Sequence, residues 1–201
     1  MTSVAAKGAR VSVLYTSVFE SLKDGKEEQR EDMDLAVNAR SVAEALRSGG
    51  HDAWTHAFEK DPSDLIARLR SSGAEAVFNL CECPNLSPEK ELHACALLEL
   101  LGLPYTGNGP LALGICNSKA LSKQLMIANG ISTPRFLLCA CDPAGEPDLP
   151  YPLVVKPANE DGSAGITEES LVADLAGLRR QVRWLRETFR QDSLVEEFVA
   201  G

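Results

Sequence analysis

Apolar and polar positions along this chain switch repeatedly between a strand rhythm and a helix rhythm. Val11 to Tyr15 is a short apolar run and predicts an opening strand. Thr16 to Glu31 is polar and irregular, which predicts a long loop entering a helix. From Asp32 to Arg47, the residues Leu35, Val37, Val42, Ala43 and Leu46 fall at helical spacing, and Ser48-Gly49-Gly50 supplies the stop. Ala53 to Phe58 predicts a second strand. Asp61-Pro62 opens a helix running through Leu69 and closed by Ser71-Ser72-Gly73, and Ala76 to Leu80 predicts a third strand. Strand, helix, strand, helix, strand with short connections implies a parallel sheet covered on both faces. Ligands of such sheets gather at the carboxyl ends of the strands, which here means Thr16 onwards and Asn79 to Cys83.

A second pattern follows. Ser87-Pro88-Glu89 opens a helix to about Leu101, Leu103 to Thr106 predicts a short strand, and Gly107-Asn108-Gly109-Pro110 predicts a turn and helix start. This G-x-G lacks the third glycine of a dinucleotide fingerprint. Asn117-Ser118 caps a helix from Lys119 to Asn129, and the domain boundary is expected here, separating 1–117 from 118–201. Beyond it, Arg135 to Cys139 predicts a strand and Asp142 to Pro150 a turn. Leu153 to Val155 predicts a buried strand, Glu168 to Phe189 a helix weakened by Gly177, and Ser193 to Val199 a last strand. The fold class is therefore α/β: a Rossmann-like parallel-sheet domain followed by a smaller α+β unit.

The candidate chemistry sits in Tyr151 to Ile166. The Leu153 strand delivers Lys156, whose ammonium needs an anionic partner if it ends inside a cleft; Pro157 then stops ladder pairing, and Asn159 to Gly165 is a small polar loop. Gly162 and Gly165 tolerate the backbone angles that let N–H groups converge on phosphate oxygens. Taken alone, the segment is equally a strand ending in a solvated lysine and a turn.

Composition narrows the partners. The 201 residues carry a formal net charge of −9, which argues against a nucleic-acid backbone as main partner. No apolar run approaches a membrane span and no signal-peptide pattern opens the chain, so a soluble cytoplasmic protein is expected. The six cysteines include C-x-C pairs, but neither pair has zinc-knuckle spacing. Reduced thiols are the default, with Cys95 and Cys116 read as small buried hydrophobes.

In order along the chain stand LLELLGLPYTGNGPLALGICNSKALSK (Leu97 to Lys123), NGISTPRF, VVKPANEDGSAGI and LVEEFVAG. With these blocks the chain resembles the ATP-grasp superfamily, and within it the D-alanine–D-alanine ligase-like proteins. The match covers roughly the second half of the chain; the first half shares only the α/β pattern. The resemblance implies a preceding α/β domain, the first ATP-grasp lobe, and ATP-dependent joining of a carboxylate to an amine through an acyl-phosphate. It implies that Lys119, at a helix start, contacts nucleotide phosphate, and that Lys156 is the strand lysine contacting phosphate and adenine-side atoms. Gly162, Ser163 and Gly165 match the loop over the phosphates, and Glu196, Glu197 and Val199 match the adenine-reading segment. Lys123, one turn after Lys119, reads as a surface residue.

Departures from the family pattern bear on function. Asp161-Gly162-Ser163 adds a carboxylate to the loop, which is unfavourable near phosphates unless it points away or meets a cation. The family's Gly-Gly-x-Ser-x-Glu segment is replaced by Tyr15-Thr16-Ser17-Val18-Phe19-Glu20, whose spacing does not make Glu20 the amine-binding glutamate. Asn79-Leu-Cys-Glu-Cys-Pro-Asn85 replaces the segment after the third strand, leaving Glu82 as its one plausible polar reader. Substrate identity thus stays open beyond a small amino-acid-like or carboxylate molecule, and no catalytic residue is assigned. In the family, the Mg2+ ligands lie past the adenine-reading segment, so none is assigned to this chain. The expectation is an ATP-binding part of a ligase, inactive alone, with a homodimer or a complementary second lobe as possible partner. The competing expectation is a nucleotide- or partner-binding module without catalysis, and an unrelated doubly wound regulatory domain leaves the four blocks unexplained.

Overall fold

In a computed structural model, residues 8–16, 28–59, 61–82 and 90–200 are described, the side chains of 28–34 excepted. Glu20, Cys83 and the Ser87-Pro88-Glu89 helix opening lie outside the described residues. The chain divides into two compact units, one ending at Leu113 and the other beginning at Gly114.

The first unit is built on a parallel sheet. Strands β1 (Arg10–Thr16), β2 (Asp52–Phe58) and β3 (Ala76–Leu80) lie in the order β2-β1-β3, with Val13 opposite Thr55 and Phe78. Helix α1 (Glu28–Ser48) joins β1 to β2, and α2 (Pro62–Ser72) joins β2 to β3. Central β1 is buried on both faces. Val11 and Val13 pack with Ala39, Ala43 and Ala53 on the α1 side, while Leu14 packs with Leu65, Leu69, Val77 and Leu98 on the other. Fully burying each leucine of that second cluster contributes about 2 kcal/mol. Val37, assigned to the buried face of α1 from its spacing, is exposed, and Ala39 takes the core position instead. Helix α2 starts where Asp61 accepts from the Ser63 N–H at 2.8 Å, with Pro62 in its first turn. Helix α3 (Glu91–Leu100) follows, and the strand expected over Leu103 to Thr106 is reduced to one parallel bridge between Val77 and Tyr105. Helix α4 (Pro110–Asn117) then bears out the helix start at Pro110.

The second unit is an antiparallel sheet with the order β4-β7-β5-β6. Its strands are β4 (Phe136–Cys139), β5 (Leu153–Pro157), β6 (Leu171–Val172) and β7 (Ser193–Glu197). Alternation along the strands gives it two distinct faces. Leu153, Val155 and Val195 point into a core closed by α6 (Leu175–Phe189) through Leu178, Val182 and Leu185. Phe136, Glu196 and Val154 form a row across β4, β7 and β5 on the opposite face, with Lys156 two residues further along β5. Helix α5 (Lys119–Ala128) begins at Ser118, whose hydroxyl accepts from the Leu121 N–H at 3.3 Å.

Some sequence expectations are corrected in this unit. The helix read from Glu168 starts only at Leu175, because the Asp174 carboxylate caps it by accepting from the Gly177 N–H at 2.7 Å. Glu168–Ser170 is a single 3-10 turn and Leu171–Val172 pairs with β5 instead. Gly177 lies in the first turn, where an added Cβ would come within 3.3 Å of the Asp174 carboxylate and 3.4 Å of Val172; its small size suits the cap. Pro157 still stands opposite Ser193 as the last residue of the ladder. Cys95 is buried as expected, but Cys116 is exposed.

Candidate functional site: two lysines, a glycine loop and a buried glutamate

The polar face of the second sheet brings Lys156 and Glu196 together. Lys156, next to last in β5, donates to Glu196 Oε1 on the neighbouring strand, so the anionic partner it requires is supplied by the protein itself. Lys123, expected at the surface, is buried: its Nζ lies 2.8 Å from Glu196 Oε2, donates to Thr133 Oγ1 at 2.6 Å and stands 5.2 Å from the centre of the Phe136 ring. The sequence reading missed it because helical spacing places Lys123 on the same side as Lys119, while its partner comes from β7, remote in the chain. Burial pushes the Glu196 carboxyl up, but hydrogen bonds and charge from Lys123 and Lys156 outweigh it, leaving the group below its ordinary range.

Lys119 is the first residue of α5, and its N–H donates to the Ala158 carbonyl at 3.1 Å. Its ammonium donates to the main-chain carbonyl of Glu160, inside the loop. Burial lowers the Lys119 pKa, and the Lys156 charge lowers it further, against the opposing pull of Glu160, Asp161 and Glu196. Lys119 therefore contacts the loop directly, while Lys156 is held on Glu196 at the neighbouring strand. Asp161 is exposed, and the contact it makes is through its main-chain carbonyl, which accepts from the Ala164 N–H at 2.9 Å.

The loop has a fixed backbone path. Gly162, Ser163 and Gly165 all have positive φ, at 53°, 65° and 72°. The N–H groups of Ala164 and Ile166 close turns onto Asp161 and Ser163, at 2.9 and 3.1 Å, and those of Gly162, Ser163 and Gly165 are left out of these turns. Gln191 braces the loop base: its Oε1 accepts from Asn159 N–H at 2.7 Å and its Nε2 donates to Glu160 Oε1 at 2.7 Å. Gln191 was not among the residues picked from the sequence, and a lone glutamine after a helix gives no signal that would single it out.

Glu197 and Val199 are placed differently from Glu196. The Glu197 carboxylate accepts from the Arg135 main-chain N–H at 3.2 Å and faces its guanidinium at 3.4 Å, and its own N–H donates to the Arg135 carbonyl. Phe198 N–H donates to the Pro152 carbonyl at 3.2 Å, and Val199 lies past the end of β7 with an exposed side chain. Glu196 therefore faces the lysines, while Glu197 is committed to the sheet edge.

In the first unit, the carboxyl ends of β1 and β3 are tied together. Thr16 Oγ1 donates to the Glu82 carbonyl and lies 3.2 Å from Cys81 Sγ; the Glu82 side chain is exposed. The Asn79 side chain is spent on structure, accepting from Cys81 N–H at 3.1 Å and donating to Cys95 Sγ at 3.3 Å.

An α/β unit followed by an antiparallel lobe with a lysine-flanked glycine loop is the layout of the ATP-grasp ligases, and comparison with known proteins agrees. No protein-family model matches the chain. The D-alanine–D-alanine ligase of Polaromonas sp. (strain JS666) is 33% identical over 207 residues, spanning 100% of this chain and 55% of its own length. That of Bordetella petrii is 32% identical over 195 residues, 96% of this chain and 54% of its own. The uncharacterized protein y4sG of Sinorhizobium fredii is 37% identical over 173 residues, 81% of this chain and 49% of its own. The fold matches the crystal structure of the Bacillus anthracis D-alanine–D-alanine ligase complexed with ATP, with a TM-score of 0.74 at 22% identity, over 96% of this chain and 60% of that one. The chain is thus D-alanine–D-alanine ligase-like in sequence and fold, and it spans about half the length of the curated relatives it matches.

Proposed function

We propose that the second unit binds ATP on its polar sheet face, as one wall of the site of an ATP-dependent carboxylate–amine ligase. The observation that carries this reading is the pair of lysines at one end of the sheet, Lys156 held on Glu196 and Lys119 donating to the Glu160 carbonyl of the 159–166 loop. These ammonium groups and a loop rich in positive-φ residues suit a polyphosphate, since Lys156 shares its one carboxylate with Lys123 and Lys119 donates to a neutral carbonyl. Lys119 and Lys156 hold phosphate oxygens, the Gly162, Ser163 and Gly165 segment lies over them, and Glu196 with the main chain near Val199 receives the adenine edge. Mg2+ accompanies the triphosphate in this reaction and would neutralise charge on the transferred group. Its ligands are not assigned to this chain.

In this reading residues 1–117 form the domain that precedes the ATP-grasp fold and 118–201 its first lobe. The reaction proceeds through an acyl-phosphate of a small amino-acid-like or carboxylate substrate, attacked by an amine. The relatives' names point to D-alanine as the first substrate to try. A cytoplasmic location, and a second copy or a complementary lobe as partner, go with the same proposal. Titration calorimetry of the 201-residue chain with ATP, with and without Mg2+, tests it. Binding that is lost in Lys156→Ala and reduced in Lys119→Ala is expected; absence of binding at millimolar ATP, or binding indifferent to Lys156, would overturn the assignment.

A further inference from the structure

Glu196 is held by two lysines that differ in one respect. Lys123 is the buried one, with 9% of its side chain exposed, and its ammonium is held by Glu196 and Thr133 and lies over the face of Phe136. Lys156 is 22% exposed at the end of its strand, and among the described residues its ammonium is recorded only with Glu196. One cation is therefore fixed and the other releasable.

The geometry points to Lys123 as a positioning residue that keeps Glu196 paired when Lys156 is drawn to the phosphates. This deepens the ATP reading above and rests on it. A buried carboxylate stripped of its only cation is strongly unfavourable, because desolvation is then uncompensated. Were Lys156 the sole partner of Glu196, moving it to a phosphate would leave such a carboxylate behind, and the lysine would stay. Lys123 removes that obstacle: Glu196 Oε2 remains 2.8 Å from a cation whichever way Lys156 turns. Thr133 and Phe136 hold Lys123 in place, so it does not follow Lys156. Nucleotide binding thus exchanges one anionic partner of Lys156 for another, without stranding the first.

A double-mutant cycle in ATP affinity tests this. Lys123→Met is expected to weaken ATP binding roughly tenfold, a coupling typical of residues in one charged network. The same change in a Glu196→Gln background is expected to leave affinity as it is in Glu196→Gln alone, since no carboxylate remains to retain Lys156. A role in folding alone would lower affinity equally in both backgrounds, and that additive result overturns the inference; so does unchanged binding by Lys123→Met. Should Lys123→Met not fold, the comparison of Lys123→Met/Glu196→Gln with Glu196→Gln still decides: equal affinity supports the role and a loss overturns it. Failure of the unmodified chain to bind ATP, or indifference to Lys156→Ala, overturns the ATP reading itself. An additive cycle in a chain that binds ATP through Lys156 overturns only the role of Lys123.

Discussion

At Gly165 two constraints meet. Its φ of 72° is unfavourable for any residue with a side chain, and an added Cβ would lie 2.5 Å from Pro157 Cγ and 2.9 Å from the Phe189 ring. Gly162 shares the positive φ, but nothing stands within reach of its added Cβ. Gly162→Ala should therefore cost about 1 to 2 kcal/mol, from backbone conformation alone. Gly165→Ala should cost more, because Pro157 and Phe189 must also move. Urea unfolding followed at Trp184 would rank the two, and equal costs would mean the loop base relaxes freely. Both glycines were legible in the sequence as loop formers, but the difference between them was not: it comes from Pro157 and Phe189, which only the folded chain brings to Gly165. Lys123 is a second case. Its place one turn from Lys119 suggested a surface residue, and only the antiparallel pairing of β7 with β4 and β5 sets Glu196 beneath it.

At the scale of elements, apolar runs and the helix starts of α2, α4 and α5 were legible. The 103–106 strand, by contrast, is only a bridge, and α6 starts later than its spacing suggests. Strand periodicity is fixed by burial on a sheet, and β1, β2, β3 and β5 follow their apolar runs to within a residue or two. The start of α6 was misplaced because Leu171 and Leu175 fit one helical spacing, while the capping Asp174 between them breaks the helix. The cap itself is testable. Asp174→Ala removes the acceptor for the Gly177 N–H and should destabilise the second unit by about 1 kcal/mol. Asp174→Asn should restore most of it, and no effect in either variant would show that the helix start is set by packing alone. Leu178→Ala, in the core on the other side of the sheet from Lys156 and Glu196, should cost roughly 2 to 5 kcal/mol, measured as a lowered urea midpoint.

For the molecule as a whole, acid should act on the two units through different groups. In the first unit, burial and then the Arg68 charge lower the pKa of His56, which lies 3.1 Å from Ser12 Oγ. A folded-state pKa below the unfolded value means stability present above about 6.5 and lost as pH falls through the lowered value. In the second unit the lowered Glu196 pKa works with the same sign, from its ordinary value of 4.5 downward. The first unit should thus begin to lose stability at a higher pH than the second. Trp54 and Trp184 report the units separately once the other tryptophan is replaced by Phe, and His56→Gln should flatten the first profile alone. Profiles that fall together, or a first profile unchanged by His56→Gln, would contradict this.

The central claim is that the polar face of the second sheet is an ATP site. The most direct measurement is the amide spectrum of the isotopically labelled chain during an ATP titration. The account predicts saturable shifts at Gly162, Ser163, Gly165 and Val199, and their loss in Lys156→Ala. Shifts confined to other residues, or an unchanged spectrum at millimolar ATP, would contradict it.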